Sequence, residues 1–393
     1  MTTVDRWQLP DGVEEVLPAR AAAVEQLRRQ LLDLYRSWGY QLVIPPLMEF
    51  TESLLIGLGA DIDLLTFKVT DQLTGRTLGI RADITPQVAR IDAHSLAEEG
   101  VTRLCYAGST LHTRPKSLLA SRSPIQLGAE LYGDNSLAAD VEIIRLMLET
   151  LTTAGLHTLS LDLGHTGVYE AVLAAVNLNK SQETIVFDAL QRKSLPALEL
   201  ALVEVPADEA ALITALATLH GGKQVLVDAR ALFADKAPDV LPALDILQEV
   251  ADSIGRWWPE LDVYFDLAEL RGYHYHTGIV FAAYVPGHGQ SLANGGRYND
   301  VGEVFGRARP ATGFATDLKA LLGLIPAQEF AQGLTQAAIA IPNSDDPALH
   351  AKAKELRAAG DVVISCLSTE VDPRCNRQLV QEQGEWVLKP LSS

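Results

Sequence analysis

Apolar residues recur at steps of three and four over residues 18–38, at Val24, Leu27, Leu31, Leu34 and Trp38, and Gly39 follows. That spacing predicts an amphipathic helix and its stop. Gln41–Ile44 then reads as a strand closed by Pro45 and Pro46. A strand over 77–81 and a helix over 85–97 are expected next. Strands over 103–108 and 125–132 follow, joined by a polar loop with Arg114, Pro115 and Lys116. Residues 139–153 predict a strongly apolar helix stopped by Gly155, and Leu159, Leu161 and Leu163 alternate as in a strand. From about 166 to 257 the chain is rich in Ala and Leu at helical periods, with few strand signals. The strand pattern returns at Val263, Phe265 and Leu267, continues over 278–284 and 290–294, and gives way to a helix expected from about 312 to 324. Beyond a linker at Pro326–Thr335 come a strand (Ala337–Ile341), a helix (347–359, stopped by Gly360) and strands at 361–366 and 385–388.

This order predicts three parts. Residues 1–165 and 258–325 form an α+β core on a largely antiparallel sheet, 166–257 a helical insertion, and 326–393 a small C-terminal α/β domain. Hydrophobic residues make up 48% of the 393, enough for a large core. No apolar run approaches the ~18 residues of a membrane span, and Met1–Pro10, with Asp5, Arg6 and Gln8, has no signal-like apolar region. The three cysteines, Cys105, Cys366 and Cys375, form no CxxC pair, which argues against a zinc or disulfide scaffold and for a cytoplasmic protein. The formal charge of −18 weighs against gripping tRNA, whose phosphates favour basic surfaces, and towards a small ligand or a protein partner.

Three segments stand out. Arg81-Ala82-Asp83-Ile84-Thr85-Pro86 sits at a strand-to-helix junction. Asp83 or Thr85 can cap the helix, and the Asp83 carboxylate can also meet a ligand ammonium; the two are compatible. On the strand 125–132, Gln126, Gly128 and Glu130 share one face. They form either the solvated side of an edge strand or a floor for a small polar ligand. Arg271-Gly272-Tyr273-His274-Tyr275-His276-Thr277-Gly278 places two histidines where a strand would give them one face. A metal site lacks a supporting Glu or Cys nearby, so the cluster reads better as a ligand wall. Asn294-Gly295-Gly296-Arg297-Tyr298 reads as a tight turn, with a plain hairpin as the equal alternative. P-loop, Rossmann, nucleophile-elbow and zinc-protease patterns do not occur.

In this order, these segments resemble class II histidyl-tRNA synthetase. Arg81–Thr85 resembles that family's Arg-Pro-Glu-Gly-Thr, and Gln126–Glu130 its Gln-x-Gly-x-Glu. Arg271–Gly278 resembles Arg-Gly-Leu-Asp-Tyr-Tyr-Thr-Gly, and Gly295–Asn299 resembles Gly-Gly-Arg-Tyr-Asp. The likeness spans about residues 8–325. It implies a class II synthetase-like antiparallel sheet flanked by helices, with a dimer formed through the Gly39…Pro45-Pro46 region.

The departures carry as much information. Where the family has Phe-Arg-x-Glu-Arg-Pro, this chain has Gly108-Ser109-Thr110-Leu111-His112-Thr113-Arg114-Pro115. The arginine position falls on Leu111 or His112, and the Arg-x-Glu pair is lost. In the last motif the arginine place is Ala320, with Lys319 one position off, about 100° around the helix, and acidic Asp317 nearby. Two lost charge-assisted contacts at about 1.5–3 kcal/mol each remove about 3–6 kcal/mol of triphosphate binding. What the resemblance keeps is the amino-acid side. It implies Asp83 and Thr85 at the α-amino group, Gln126 at the backbone end of the ligand, Glu130 and Tyr275 beside an imidazole, and Arg271 at the carboxylate. Asp83 is shorter than the family's Glu by roughly 1.5 Å, and His276 replaces a tyrosine and changes the imidazole contacts. The Arg-Gly-Tyr-His-Tyr-His-Thr-Gly form is closer to a paralogous family, the regulatory subunits of ATP phosphoribosyltransferase. That resemblance implies a subunit without catalysis of its own and without a cofactor or metal. It implies histidine as ligand, a short-form catalytic subunit as partner in a hetero-octamer, and a role in feedback on histidine biosynthesis. A divergent adenylating synthetase is the alternative.

Overall fold

The computed structural model describes residues 7–55, 60–115, 120–270, 272–273, 275–325, 337–368 and 370–391. The chain divides into two compact units, Met1–Val16 with Val24–Ile325, and Leu17–Ala23 with Pro326–Ser393. The strands in chain order are β1 (Gln41–Leu42), β2 (Met48–Phe50), β3 (Phe67–Thr70), β4 (Thr77–Ile80), β5 (Thr102–Ser109), β6 (Ile125–Tyr132), β7 (Ser160–His165) and β8 (His220–Gly221). They continue with β9 (Asp262–Asp266), β10 (Ile279–Tyr284), β11 (Ala293–Arg297), β12 (Ala311–Asp317), β13 (Ala338–Pro342), β14 (Val363–Cys366), β15 (Cys375–Glu382) and β16 (Glu385–Pro390).

Nine strands make the large unit's main sheet, in the order β1-β5-β6-β12-β11-β10-β7-β9-β8. Pairing is antiparallel except at β1–β5 and β7–β9. The two-residue period of its strands gives the sheet two faces, and the central strands are buried on both. Leu127, Ala129 and Leu131 of β6 and Phe314 of β12 are almost fully buried on one of them. Tyr35 of the helix Pro18–Ser37 stands edge-on to Phe314, ring centroids 6.0 Å apart, and its hydroxyl meets Thr150 Oγ1 at 3.2 Å. Thr150 lies in the helix Leu137–Thr153, where Ile143, Ile144, Leu146, Met147, Leu148 and Leu151 are at most 1% exposed. Each such side chain contributes about 1.5–3 kcal/mol by leaving water. That outweighs the ~1 kcal/mol of an N-cap, and Ser136 indeed makes no side-chain cap bond. Packing, not capping, holds this helix.

The same helix is also tied by charge. Arg297, at the end of β11, places Nε 3.1 Å from both Asp140 carboxylate oxygens and donates to Asp134 O, Asn135 Oδ1 and Ser136 O. Both side chains of the pair are buried. Between β7 and β9 lie six α-helices from Thr166–Ala174 to Leu241–Trp257, interrupted by the two-residue strand β8, which joins the main sheet beside β9.

Several local expectations need correction. The expected helix from 312 is a strand to Asp317, and only Leu318–Leu324 is helical. Gly313, Ala315 and Asp317 point one way and Thr312, Phe314 and Thr316 the other, a period of two that the small residues disguise. The expected turn at 294–298 is strand β11. A Cβ on Gly295 would lie 2.0 Å from Gly313 O, so these glycines let strands and side chains approach, not the chain reverse. Tyr273, Tyr275 and His276 lie in successive turns closed on Leu270 O and Gly272 O, not in a strand.

In the small unit the sheet runs β14-β13-β15-β16. Ile339, Ile341, Leu349, Ala353, Val363 and Leu379 form its core, with Leu349 and Ala353 from the helix Pro347–Ala358. β15 escaped the sequence reading because only Cys375 and Leu379 of its eight residues are buried. It pairs with β16 through a turn in which Gln383 and Gly384 both take positive φ, 51° and 88°.

Removing Arg297 leaves the Asp140 carboxylate buried without its counter-charge. Arg297→Ala is expected to lower unfolding free energy by about 3–5 kcal/mol, measured as a fall in denaturant midpoint at unchanged slope.

Candidate functional site

Register places the site on the face opposite Leu127 and Phe314. Gln126, Gly128 and Glu130 of β6 lie beside Asp317, Ala315 and Gly313 of β12. Gly313 and Ala315 lie beside Gly296 and Asn294 of β11, and these beside Val280 and Ala282 of β10. Glycine thins this surface. A Cβ on Gly313 would sit 1.6 Å from Glu130 Oε2, and one on Gly128 2.4 Å from the Tyr106 hydroxyl. The floor therefore lies low enough for polar side chains to lie across it.

Glu130 is 1% exposed and accepts three hydroxyl hydrogen bonds. Thr85 Oγ1 donates to its Oε1 at 2.9 Å, the Tyr106 hydroxyl to the same oxygen at 3.1 Å, and the Tyr298 hydroxyl to Oε2. Burial pushes the carboxyl up to about 8, against the hydroxyls of Tyr298, Thr85 and Tyr106, which favour the ionised form. Tyr275 packs on Tyr298, ring centroids 4.9 Å apart. Its hydroxyl is buried with no hydrogen-bond partner among the described residues. Burial, then the nearby Glu130 charge, raises its pKa well above the usual tyrosine value. An orphan hydroxyl beside a buried carboxyl is a place for a ligand that both donates and accepts.

At the rim, Asp83 Oδ1 accepts from Gln126 Nε2 at 2.8 Å and from the Thr85 amide at 3.0 Å. Gln126 Oε1 accepts from the Ile84 amide at 2.9 Å. Thus Asp83 braces the entry to the helix Thr85–Arg90, whose N-cap, Ile84, has no side-chain cap. Its Oδ2 remains without a hydrogen bond among the described residues.

Asp83, Thr85, Gln126, Glu130 and Tyr275 are thus brought into one cluster. His276 stands edge-on to Tyr275, ring centroids 5.3 Å apart, and lies against Gly296, where it lines a cavity of about 100 Å³ on the same face with Asp162, Asp266, Glu269 and Asn294. Burial pushes its imidazole down to about 4, so the ring is neutral near pH 7. Arg271 and His274 lie outside the described residues. Two members of the cluster, Tyr106 and Tyr298, were not anticipated. Arg81 and Arg297, in contrast, are structural. Arg81 is buried and donates to Ser109 O at 2.9 Å and Pro45 O at 2.8 Å.

At the other end of the face, three described basic side chains are engaged within the protein. His112, at one of the two positions aligned with the family arginine, is buried and donates from Nε2 to Ala82 O at 2.9 Å. Lys319 is 4% exposed, with Nζ 3.2 Å from Ser121 Oγ, Ser123 Oγ and Glu14 Oε1. Asp317 accepts from the Lys319 and Ile125 amides and so caps the helix Leu318–Leu324. Arg122 is committed to His112 O and Asp11 O. Among the described residues no group of three or more His, Cys, Asp or Glu could hold a metal, and no described helix is long and apolar enough to cross a membrane.

Because the folded value of Glu130 lies above its usual 4.5, the stability linked to its neutral form is complete below about pH 4.5 and is lost as pH rises through about 8. The thermal stability of the wild type should therefore fall relative to Glu130→Gln as pH rises from roughly 5 to 8, by up to ~1.4 kcal/mol per pH unit. Parallel profiles for the two proteins would show that Glu130 is ionised throughout.

A histidyl-tRNA synthetase family model matches residues 12–321, and a model described as the ATP phosphoribosyltransferase subunit HisZ C-terminal domain matches 336–389. ATP phosphoribosyltransferase regulatory subunits of Pseudomonas putida and Azotobacter vinelandii are 52% and 53% identical over 397 residues, covering 100% of both chains. A Bacillus halodurans structure described as an ATP phosphoribosyltransferase regulatory subunit/histidyl-tRNA synthetase superposes with TM-score 0.81 at 27% identity, covering 93% of this chain and 94% of that one. The histidyl-tRNA synthetase of Nostoc sp. PCC 7120, at TM-score 0.74 and 18% identity over 98% and 97% of the chains, shares the fold. With relatives more than half identical over the full length of both chains, and a C-terminal match to that subunit's own domain model, this chain belongs to the ATP phosphoribosyltransferase regulatory subunit family.

Proposed function

We propose that the chain senses histidine for an ATP phosphoribosyltransferase and does no chemistry itself. The enzyme joins ATP to phosphoribosyl pyrophosphate in the first step of histidine biosynthesis. The observation that carries this reading is the pairing of buried Glu130 with the orphan Tyr275 hydroxyl on a glycine floor. An imidazole has one ring nitrogen that donates and one that accepts, which suits a carboxyl and a hydroxyl side by side. Asp83 Oδ2 is available to the α-ammonium, with Gln126 at the backbone end of the ligand. Thr85 acts through Glu130, which its hydroxyl holds in place. Arg271 is assigned the carboxylate, and His276, neutral, the outer wall. The three-part division expected from the sequence then has a purpose, with sensing in 1–165 and 258–325 and with 166–257 and 326–393 left for assembly. The partner is a short-form catalytic subunit in a cytoplasmic hetero-octamer, without tRNA.

An adenylating enzyme is the second reading, and the Lys319 contacts speak against it. The buried Lys319 ammonium at that end is already shared by Glu14, Ser121 and Ser123. A coupling of about 1–3 kcal/mol between the histidine site and the partner suffices for feedback.

Mixing the chain with a short-form catalytic subunit should give a complex whose turnover falls when histidine is added. Glu130→Gln and Asp83→Asn should raise the half-inhibitory histidine concentration roughly 10- to 100-fold, from charge-assisted contacts of about 1.5–3 kcal/mol, which at Glu130 form as the bound ligand takes up its proton. Unchanged inhibition in both variants, or histidine-dependent exchange of pyrophosphate into ATP, would contradict the proposal.

A further inference from the structure

The segment that carries Tyr275 is gripped from outside the site. Residues 267–278 join β9 to β10, and Tyr273, Tyr275 and His276 lie there in turns closed on Leu270 O and Gly272 O. The helical insertion meets this segment at its start, middle and end. At the start, the Leu267 amide donates to Leu219 O at 3.1 Å. There Lys193 Nζ also lies 2.7 Å from each Asp266 carboxylate oxygen and donates to Ala268 O at 2.9 Å. In the middle, the Tyr273 ring stands edge-on to Tyr169, centroids 5.1 Å apart, and tilted against Phe187 at 5.4 Å. At the end, Gly278 O accepts from the Thr166 amide at 3.0 Å. Thr166 and Tyr169 belong to the helix Thr166–Ala174, Phe187 belongs to Lys180–Gln191, and Lys193 follows that helix by two residues. Lys193 has a φ of +52°, a left-handed conformation in which glycine is the unstrained residue at a helix end. The helix end does not call for a lysine there; the contact with Asp266 and Ala268 does.

We propose that Tyr169, Phe187 and Lys193 of the insertion are positioning residues for the ligand. They act through the segment 267–278, which they hold so that the Tyr275 hydroxyl is aimed into the site. Tyr275 stands two residues past the clamped Tyr273, with its ring on Tyr298 and its hydroxyl in the field of Glu130. A binding group on a turn keeps its aim only when packing and hydrogen bonds around it fix the backbone, and a displacement of about 1 Å loses much of its contribution. The linkage is reciprocal. Whatever the insertion adds to histidine affinity, bound histidine returns as added order in the insertion.

This inference rests on the reading of the cluster as a histidine site, and the test separates the two. Histidine affinity of the full-length chain is measured by calorimetry for the wild type, Phe187→Ala, Lys193→Gly and Tyr275→Phe. The first two changes are also each combined with Tyr275→Phe, and thermal unfolding without ligand reports folding. Kd should rise roughly three- to tenfold in Phe187→Ala and in Lys193→Gly. Glycine suits the backbone at 193, so Lys193→Gly should keep the Tm of the free protein within about a few degrees of wild type. In the Tyr275→Phe background both changes should lose most of their effect, because the group they aim is gone, whereas a purely structural role leaves the effects additive. Wild-type affinity in both Phe187→Ala and Lys193→Gly would overturn the inference, as would full additivity with Tyr275→Phe. A wild type that binds no histidine would instead overturn the reading of the site, and this inference with it.

Discussion

The site depends on a carboxyl buried in the sheet at the level of its backbone. Glu130 has nowhere to go: Gly313 lies beneath one oxygen, and three hydroxyls, from a helix, from β5 and from the residue that follows β11, close around it. Burying a carboxylate costs several kcal/mol unless hydrogen bonds replace its water. Thr85, Tyr106 and Tyr298 supply that replacement in part, and the raised pKa shows that it is incomplete. The remaining deficit favours whatever hydrogen-bond donor or proton a ligand brings. The glycines at 128 and 313 follow from the same constraint, because a methyl group at either would displace a site side chain.

The two ends of this face have diverged in chemistry while sharing one sheet. At the β6 centre, polar groups are exposed to the site with bonding capacity left over, at the Tyr275 hydroxyl and Asp83 Oδ2. At the β5–β6 loop end, three described side chains are taken up internally. His112 is spent on Ala82, Arg122 on two carbonyls, and Lys319 on a carboxylate and two hydroxyls. A triphosphate needs cations that are fixed but unneutralised, and Glu14 neutralises Lys319. The retained part and the closed part of the cleft are thus distinguished by hydrogen-bond accounting, without appeal to the fold.

Much of this was legible in the sequence, for identifiable reasons. Gln126, Gly128 and Glu130 fall on one face by strand period alone, and Asp83 and Thr85 flank a helix start marked by Pro86. The long helices, whose apolar periods are strong, lie where expected. Tyr106 and Tyr298 were not legible as site residues, because their role comes from strands that meet only in the folded sheet. Tyr298 does stand in a segment singled out for its glycines, which were read as a turn when they are there for close approach. Small residues hid β12 for the same reason, since Gly313 and Ala315 carry no hydrophobic signal on the site face. β15 shows the opposite failure, with so many polar positions that its alternation vanishes.

The account reduces to a cleft that accepts an imidazole-bearing zwitterion and refuses a nucleotide. Isothermal titration of the purified chain with histidine and, separately, with ATP tests both halves at once. The account predicts a saturable heat at one histidine per chain and none with ATP. A saturable heat with ATP, or none with histidine, would contradict it.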